Sequence, residues 1–454
     1  MKPFIIITVM LCSAALYGES ITIVELQRAA LAANPRIRAM DAEAQMMKKR
    51  IPQSLALEDP KLKLGVNNLS AKTLSYPRQY ISSRDIDPSQ VVIGKGYTEM
   101  IPAVEIGVSQ MIPMGKLGSR KKVAEKEHER STVKIRAEKV EILHMLRMNY
   151  YDLMYARSSI KILDDIKKQI KLVIDSEIAA TKSGMGSLAN VVKSKIEYNM
   201  VDEEIINLKQ KRKELEQNIN YLLGKKVEIA EEALPAPVFR EVEVASVQNE
   251  ILASNPQLKI LSLDAEISKS EISLKESEYA PDLDVGFSYM RQWNGAKGKM
   301  NEAMLGMGGA TPVYKTERMR QDDMVSFMVT LNIPFWFWNK NIPMVDEMKK
   351  KNEAAKSLYQ DRLNEMNARA EILAGQLVKW SDLYRLYHDR LIPQSELAFE
   401  TTLARYRTGS GEFMPVVDTV RMLLRFKKEL VMAVKEYYAS YSELNALMGV
   451  EVLQ

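Results

Sequence analysis

The chain has almost no cysteine, little glycine or proline, and only three histidines. Its one cysteine, Cys12, lies in an apolar run near the N-terminus, so no disulfide can staple the rest of the 454 residues. With 20 Gly and 17 Pro, turn and loop signals are sparse for this length. His128, His144 and His388 are scattered without i, i+4 ligand pairing. There is no Gly-rich phosphate loop at a strand–helix junction, no nucleophile elbow and no CxxC. Enzyme chemistry is therefore not expected, nor is a cofactor or a resident metal. Charge of either sign is not in excess: 64 Lys and Arg against 59 Asp and Glu leave +5, and no basic tract with interleaved aromatics marks a nucleic-acid binder. Beyond the N-terminus no stretch is apolar enough for a spanning helix, which needs about 20 residues. What dominates is Lys, Arg, Glu, Leu, Met and Ala, the material of long helices.

Lys2, the apolar run 4–16 and then Gly18-Glu19-Ser20 read as a secretory signal peptide over residues 1–20. The run is too short for a membrane anchor. Cleavage after Ala15 and cleavage after Ser20 both suit small-residue rules. A lipoprotein signal would need a small residue before Cys12, where Leu11 stands. An exported chain of this kind can enter a membrane only through strands.

The sequence repeats itself. Asn34-Pro35, Asp59-Pro60, Gly65 and Ile112-Pro113 recur as Asn255-Pro256, Ala280-Pro281, Gly286 and Ile333-Pro334, each 221 positions on. Gly184-Met185-Gly186 then recurs as Gly409-Ser410-Gly411 and Leu223-Gly224 as Met448-Gly449, at an offset of 225. This is far longer than a solenoid unit of about 20–50 residues. It marks two copies of a structural half, 21–224 and 245–454, joined by a linker at 225–244.

Each half predicts helix, strand, loop, strand, very long helix, tight turn, long helix. Residues 21–57 have a helical pattern broken near Pro35 and Pro52. Period-two alternation places strands at about 60–69, 101–112, 281–291 and 323–333, with loops at 70–96 and 294–320. Between 114 and 183 there is no proline, and a helix there would be about 100 Å long. The span 344–408 is similar, with Pro393 expected to kink it. Leu163, Ile166, Ile170 and Val173, and Ile205, Leu208, Leu215, Ile219 and Leu222, form a/d seams, with Arg212 as a polar interruption. Glycine turns at Gly184 and Gly409 fold the long helices into antiparallel hairpins, 114–223 and 342–449.

A strand of about 9–11 residues spans a bilayer. Four strands cannot close a barrel, and lipid does not tolerate an open sheet edge. If the strands lie in a membrane, the protein is an obligate oligomer. Strands of this pattern also occur in soluble sheets. Trp336 and Trp338, beside the last strand, fit an interfacial aromatic girdle.

Several strings, in order and across the mature chain, resemble the TolC-like outer-membrane efflux channels: Ala32-Ala33-Asn34-Pro35, Asp59-Pro60-Lys61-Leu62, Val108-Ser109-Gln110-Met111-Ile112-Pro113 with Gly115-Lys116, and Arg405-Tyr406-Arg407-Thr408-Gly409 followed by Val416-Val417-Asp418. The strings around Asp59-Pro60 and Gly115-Lys116-Leu117-Gly118 are most similar to the heavy-metal branch. The resemblance implies a mainly α chain with a membrane β portion. Three copies would close a twelve-stranded barrel in the outer membrane of a Gram-negative bacterium, above a periplasmic α-helical barrel. It implies partners as well: a periplasmic adaptor and an inner-membrane pump, for the metal branch one of the proton-driven resistance-nodulation-division type. The function implied is a passive exit duct, with metal cations as cargo. A multidrug or type I secretion channel is the alternative, and a periplasmic coiled-coil structural protein a more distant one. An adaptor would need one hairpin flanked by soluble β domains.

The same resemblance places adaptor contacts at the hairpin tips, Gly184, Met185, Gly186, Ser187 and Gly409, Ser410, Gly411, where plain turn glycines are the other reading. It places a pore constriction at Asp418, with Tyr406 and, by proximity, Arg407; a solvated helix face is the other reading of Asp418. Pro415 stands where a second acid is often found, which puts a double acidic ring in doubt. Of the 27 methionines, Met300, Met304, Met307, Met319 and Met324 cluster in and near the second loop; thioethers suit soft cations, though packing is their usual role.

Overall fold

The computed structural model describes residues 22–67, 103–184, 186–230, 234–292, 298–301, 314–317 and 322–451. The expected signal peptide, the expected loop at 70–96, Met185, Met304, Met307 and Met319 lie outside them. The chain divides into a helical unit (1–48, 126–266 and 353–454) and a unit that holds the strands (49–125 and 267–352).

In the helical unit, α1 (Ile23–Ala33) starts where the Glu25 carboxylate accepts the Thr22 backbone N–H at 3.0 Å. It stops at Asn34, whose backbone is extended (ψ 124°), as a residue before proline requires. Pro35 then opens α2 (Pro35–Ser54), a position that needs no N–H. The second half does the same with α5 (Val244–Ser254), Asn255 and α6 (Pro256–Ser277). Contrary to expectation, Pro52 does not break α2. It lies in the exposed last turn, where water can reach the carbonyl it leaves free.

The long helices are α3 (Lys116–Lys182), α4 (Leu188–Leu223), α7 (Asn341–Leu386), α8 (Ile392–Arg407) and α9 (Phe413–Leu447). Between α7 and α8 a π segment, Tyr387–Leu391, precedes Pro393. This is the form the expected disturbance takes: proline clashes with the carbonyl four residues back, at Asp389, and the wider turn relieves the clash.

Three apolar clusters hold this unit. Leu26, Ile142, Leu146 and Leu153 pack with Ile219 and Leu222. Val247, Ile251, Leu373 and Leu377 pack with Tyr437 and Leu444. Leu163, Ile166, Ile170 and Val173 join Phe399, Leu403, Phe413 and Val416 near the hairpin turns. Each such buried side chain contributes about 1.5–3 kcal/mol. The linker is pinned by the Arg240 N–H to the Tyr437 hydroxyl at 3.0 Å and by Arg157 to the Ala230 carbonyl at 2.5 Å.

In the other unit, β1 (Lys61–Asn67), β2 (Ala103–Pro113), β3 (Asp282–Gln292) and β6 (Met324–Asn332) form one antiparallel sheet in the order β1-β2-β3-β6. The span expected as plain loop at 294–320 also contains a two-stranded ribbon, β4 (Gly298–Asn301) with β5 (Tyr314–Glu317).

Candidate functional site

Period-two alternation and strand register give the sheet two chemically distinct faces. On one face the cross-strand row Leu62, Val108, Phe287, Phe327 lies next to the row Leu64, Ile106, Tyr289, Val325. These side chains are exposed, Leu64 by 70% and Phe327 by 71%. The other face carries Lys63, Gly107, Ser288 and Ser326 in one row, and Glu105 in the next. Glu105 is 6% exposed and fully partnered, taking hydrogen bonds from Lys63 at 3.1 Å and Asn67 at 2.8 Å. One apolar and one polar face are what a strand needs with lipid on one side and water on the other. β1 and β6 are the sheet edges, with no strand partner beyond them among the described residues. Trp336 and Trp338, directly after β6, stack edge-on with centroids 5.4 Å apart and are both exposed.

The hairpin turns belong to the helical unit. Gly184 and Gly409 adopt φ of 78° and 74°, the left-handed region glycine favours. Gly186 and Gly411 are needed for space. A Cβ on Gly186 would lie 2.5 Å from the Thr181 backbone nitrogen, and one on Gly411 would lie 3.0 Å from Arg405. Ser187 caps α4 by accepting the Ala189 N–H at 3.2 Å. Its own N–H donates to Glu177 Oε1 at 2.9 Å, and Glu177 is fully buried. Ser410 closes the second turn by donating its N–H to the Arg405 carbonyl at 3.0 Å.

Asp418 is exposed on α9, and Arg407 is exposed at the end of α8. Tyr406 is half-buried, its ring edge-on to Phe413 of the same hairpin at 5.9 Å. Asp418 is joined by Arg421, 3.7 Å away, which reaches across to α4 and grips both oxygens of Glu197, Nε to Oε2 at 2.9 Å. That hydrogen bond raises the guanidinium pKa further. One heptad on, Lys428 pairs with Glu204. Sequence reading missed both pairs, and Glu177. The ion pairs join residues 224 apart, one short of the repeat offset of 225, and that near-coincidence was the one signal for them in the sequence.

The family model for outer membrane efflux proteins matches the chain twice, over 26–225 and 247–450. No curated protein matches it by sequence. Among solved structures the fold is similar to that of CusC (TM-score 0.70, 12% identity, covering 96% of each chain). It is similar also to the outer membrane protein VceC of Vibrio cholerae (0.68, 13%, 94% of this chain and 96% of that one). The open state of the MtrE outer membrane channel of Neisseria gonorrhoeae is a further likeness (0.68, 13%, 94% and 89%). At these identities the likeness establishes fold alone. The two family matches span both sequence halves, and with them the two-faced sheet and both glycine-turned hairpins, so the chain belongs to the outer membrane efflux protein family.

Proposed function

We propose that the chain is the exit duct of a tripartite efflux system. Three copies close a twelve-stranded barrel in the outer membrane of a Gram-negative bacterium, after export by the N-terminal signal. Each copy is built of two structural repeats. The observation that carries this reading is the sheet: its exposed apolar face demands lipid or a partner, and its free edges demand another strand. β1 and β6 run in opposite directions, so a copy's β6 can pair with a neighbour's β1 in the antiparallel sense used throughout. Trp336 and Trp338 anchor the sheet at the membrane interface.

Hairpins from three copies line the periplasmic passage. The turns at Gly184–Ser187 and Gly409–Gly411 offer the adaptor close backbone approach, and the adaptor links the duct to a proton-driven resistance-nodulation-division pump. The exposed Asp418 carboxylates form an acidic constriction, with Tyr406 and Arg407 beside it. The chain performs no covalent chemistry and needs no cofactor. Metal cations are the cargo; the strings around Asp59-Pro60 and Gly115-Lys116 favour them over drugs. Deleting the gene tests the assignment. Loss of tolerance to copper, silver, zinc, cobalt or cadmium is the expected result, and lost drug tolerance with intact metal tolerance removes the metal cargo.

A further inference from the structure

The polar face of the sheet holds one kind of large apolar side chain. Its positions on β1, β2, β3 and β6 are Lys, Gly, Asn, Glu, Ser, Asp, Gln and Thr, with Ala103 and Pro113, and four methionines: Met111, Met290, Met324 and Met328. No Leu, Ile, Val or Phe stands there. The apolar face, rich in all four, has no methionine. Methionine used as filler would be shared between the faces, or favour the apolar one. Here it is confined to the side that carries Lys63, Glu105, Asp282 and Asp284, while the apolar face of β3 holds one charge, Arg291, near its end.

The register brings two of the four together. Met290 and Met324 are direct cross-strand partners, in the row that also holds Glu105. Directly opposed residues have Cβ atoms about 4.5–5.5 Å apart, close enough for two flexible thioethers to reach one ion. Met324 is half exposed, and its sulfur accepts a hydrogen bond from Gln292 Nε2 at 3.3 Å, so it is already turned to polar partners. Lower on the same face Met111 lies opposite Asp284, which has a buried carboxylate oxygen without a hydrogen-bond partner. Met328 lies opposite Gly286, where no side chain competes for the space.

The geometry points to a thioether site for a soft monovalent cation, Ag(I) or Cu(I), at the Met290–Met324 pair, with Met328 and Met111–Asp284 continuing the track along the polar face. Thioether sulfur selects such ions over hard or borderline divalent ones. A site of two neutral sulfurs is weak, as a conduction path needs, since an ion must leave as readily as it enters. The inference rests on reading the polar face as the wall of the duct.

The test is calorimetric titration of Ag(I) into the full-length protein in detergent, with single-channel conductance recorded on the same preparations. Met290→Leu with Met324→Leu, a volume-conserving pair, should weaken Ag(I) binding by at least about tenfold while conductance persists. Zn(II) should not compete. Replacing Met300, Met304, Met307 and Met319 by Leu should leave Ag(I) affinity unchanged. In the unsubstituted protein the Met290 and Met324 methyl resonances should shift on adding Ag(I). Unchanged affinity in the double variant, or loss only in the four-residue loop variant, overturns the site. Absent conductance with Ag(I) binding still dependent on the pair refutes the duct and leaves the site standing.

Discussion

Asn34 and Asn255 perform the same task in the two halves. Each side-chain amide donates to a terminal carbonyl of a returning helix, Asn34 to Leu222 at 2.9 Å and Asn255 to Leu447 at 2.6 Å. Each side-chain oxygen caps the next helix, accepting from Arg36 and Leu258. The glycines that follow, Gly224 and Gly449, come close to the same elbows, and a Cβ on Gly449 would meet Pro256 at 2.6 Å. Asn34→Ala or Asn255→Ala leaves a helix-terminal carbonyl without its partner and removes a cap, and should cost about 1–3 kcal/mol in thermal or denaturant unfolding. At the turns, Gly186→Ala should destabilise the hairpin more than Gly184→Ala. The first forces a methyl into backbone, while the second adds strain with open space around it. Amide exchange at Thr181 and Ser187 reads the difference. Burial pushes the His144 imidazole below its ordinary 6.5. In acid the unfolded chain takes up that proton before the folded one does. Stability is therefore fully present above 6.5 and declines as pH falls through the lower folded value, and His144→Gln should flatten this part of the stability–pH curve.

At the scale of elements, punctuation and period made much of the fold legible. Asn-Pro pairs marked the elbows, and glycines marked the turns. Alternation at Val104, Ile106 and Val108 marked β2, because these three and Ile112 share one exposed face of that strand, interrupted by Gln110. The a/d spacing of Ile205, Leu215, Ile219 and Leu222 named the buried side of α4, where Arg212 interrupts the seam and pairs with Glu216 at 3.7 Å. The ribbon β4–β5 was not legible, since four-residue strands are too short to establish a period. Pro52 misled because proline is destructive only where its missing N–H has no substitute. The π segment was legible only as a disturbance. The four residues that separate the offsets 221 and 225 fall between Pro334 and Thr408, the stretch that holds it, and a four-residue insertion locally unwinds heptad packing. Contacts across the repeat, Glu197 with Arg421 and Glu204 with Lys428, had no local signal at all. Arg421 is half exposed, so a double-mutant cycle with Glu197→Gln and Arg421→Met should give a coupling of no more than about 1 kcal/mol, smaller in high salt.

For the whole molecule, one chain is incomplete in lipid. Hydrocarbon leaves no backbone group unpaired, and this sheet ends at β1 on one side and β6 on the other. Cys12, the one cysteine of the sequence, falls in the segment proposed above to be removed on export, and Cys12→Ser removes it in any case, so engineered cysteines report without background. The most direct measurement places one cysteine on β1, at Leu64, and one on β6, scanned over Val325, Phe327 and Val329, in full-length protein in outer membranes, and oxidises it. One register should give a ladder on denaturing gels that ends at three chains, with no ladder from either single cysteine. Monomer alone at every register would contradict the account.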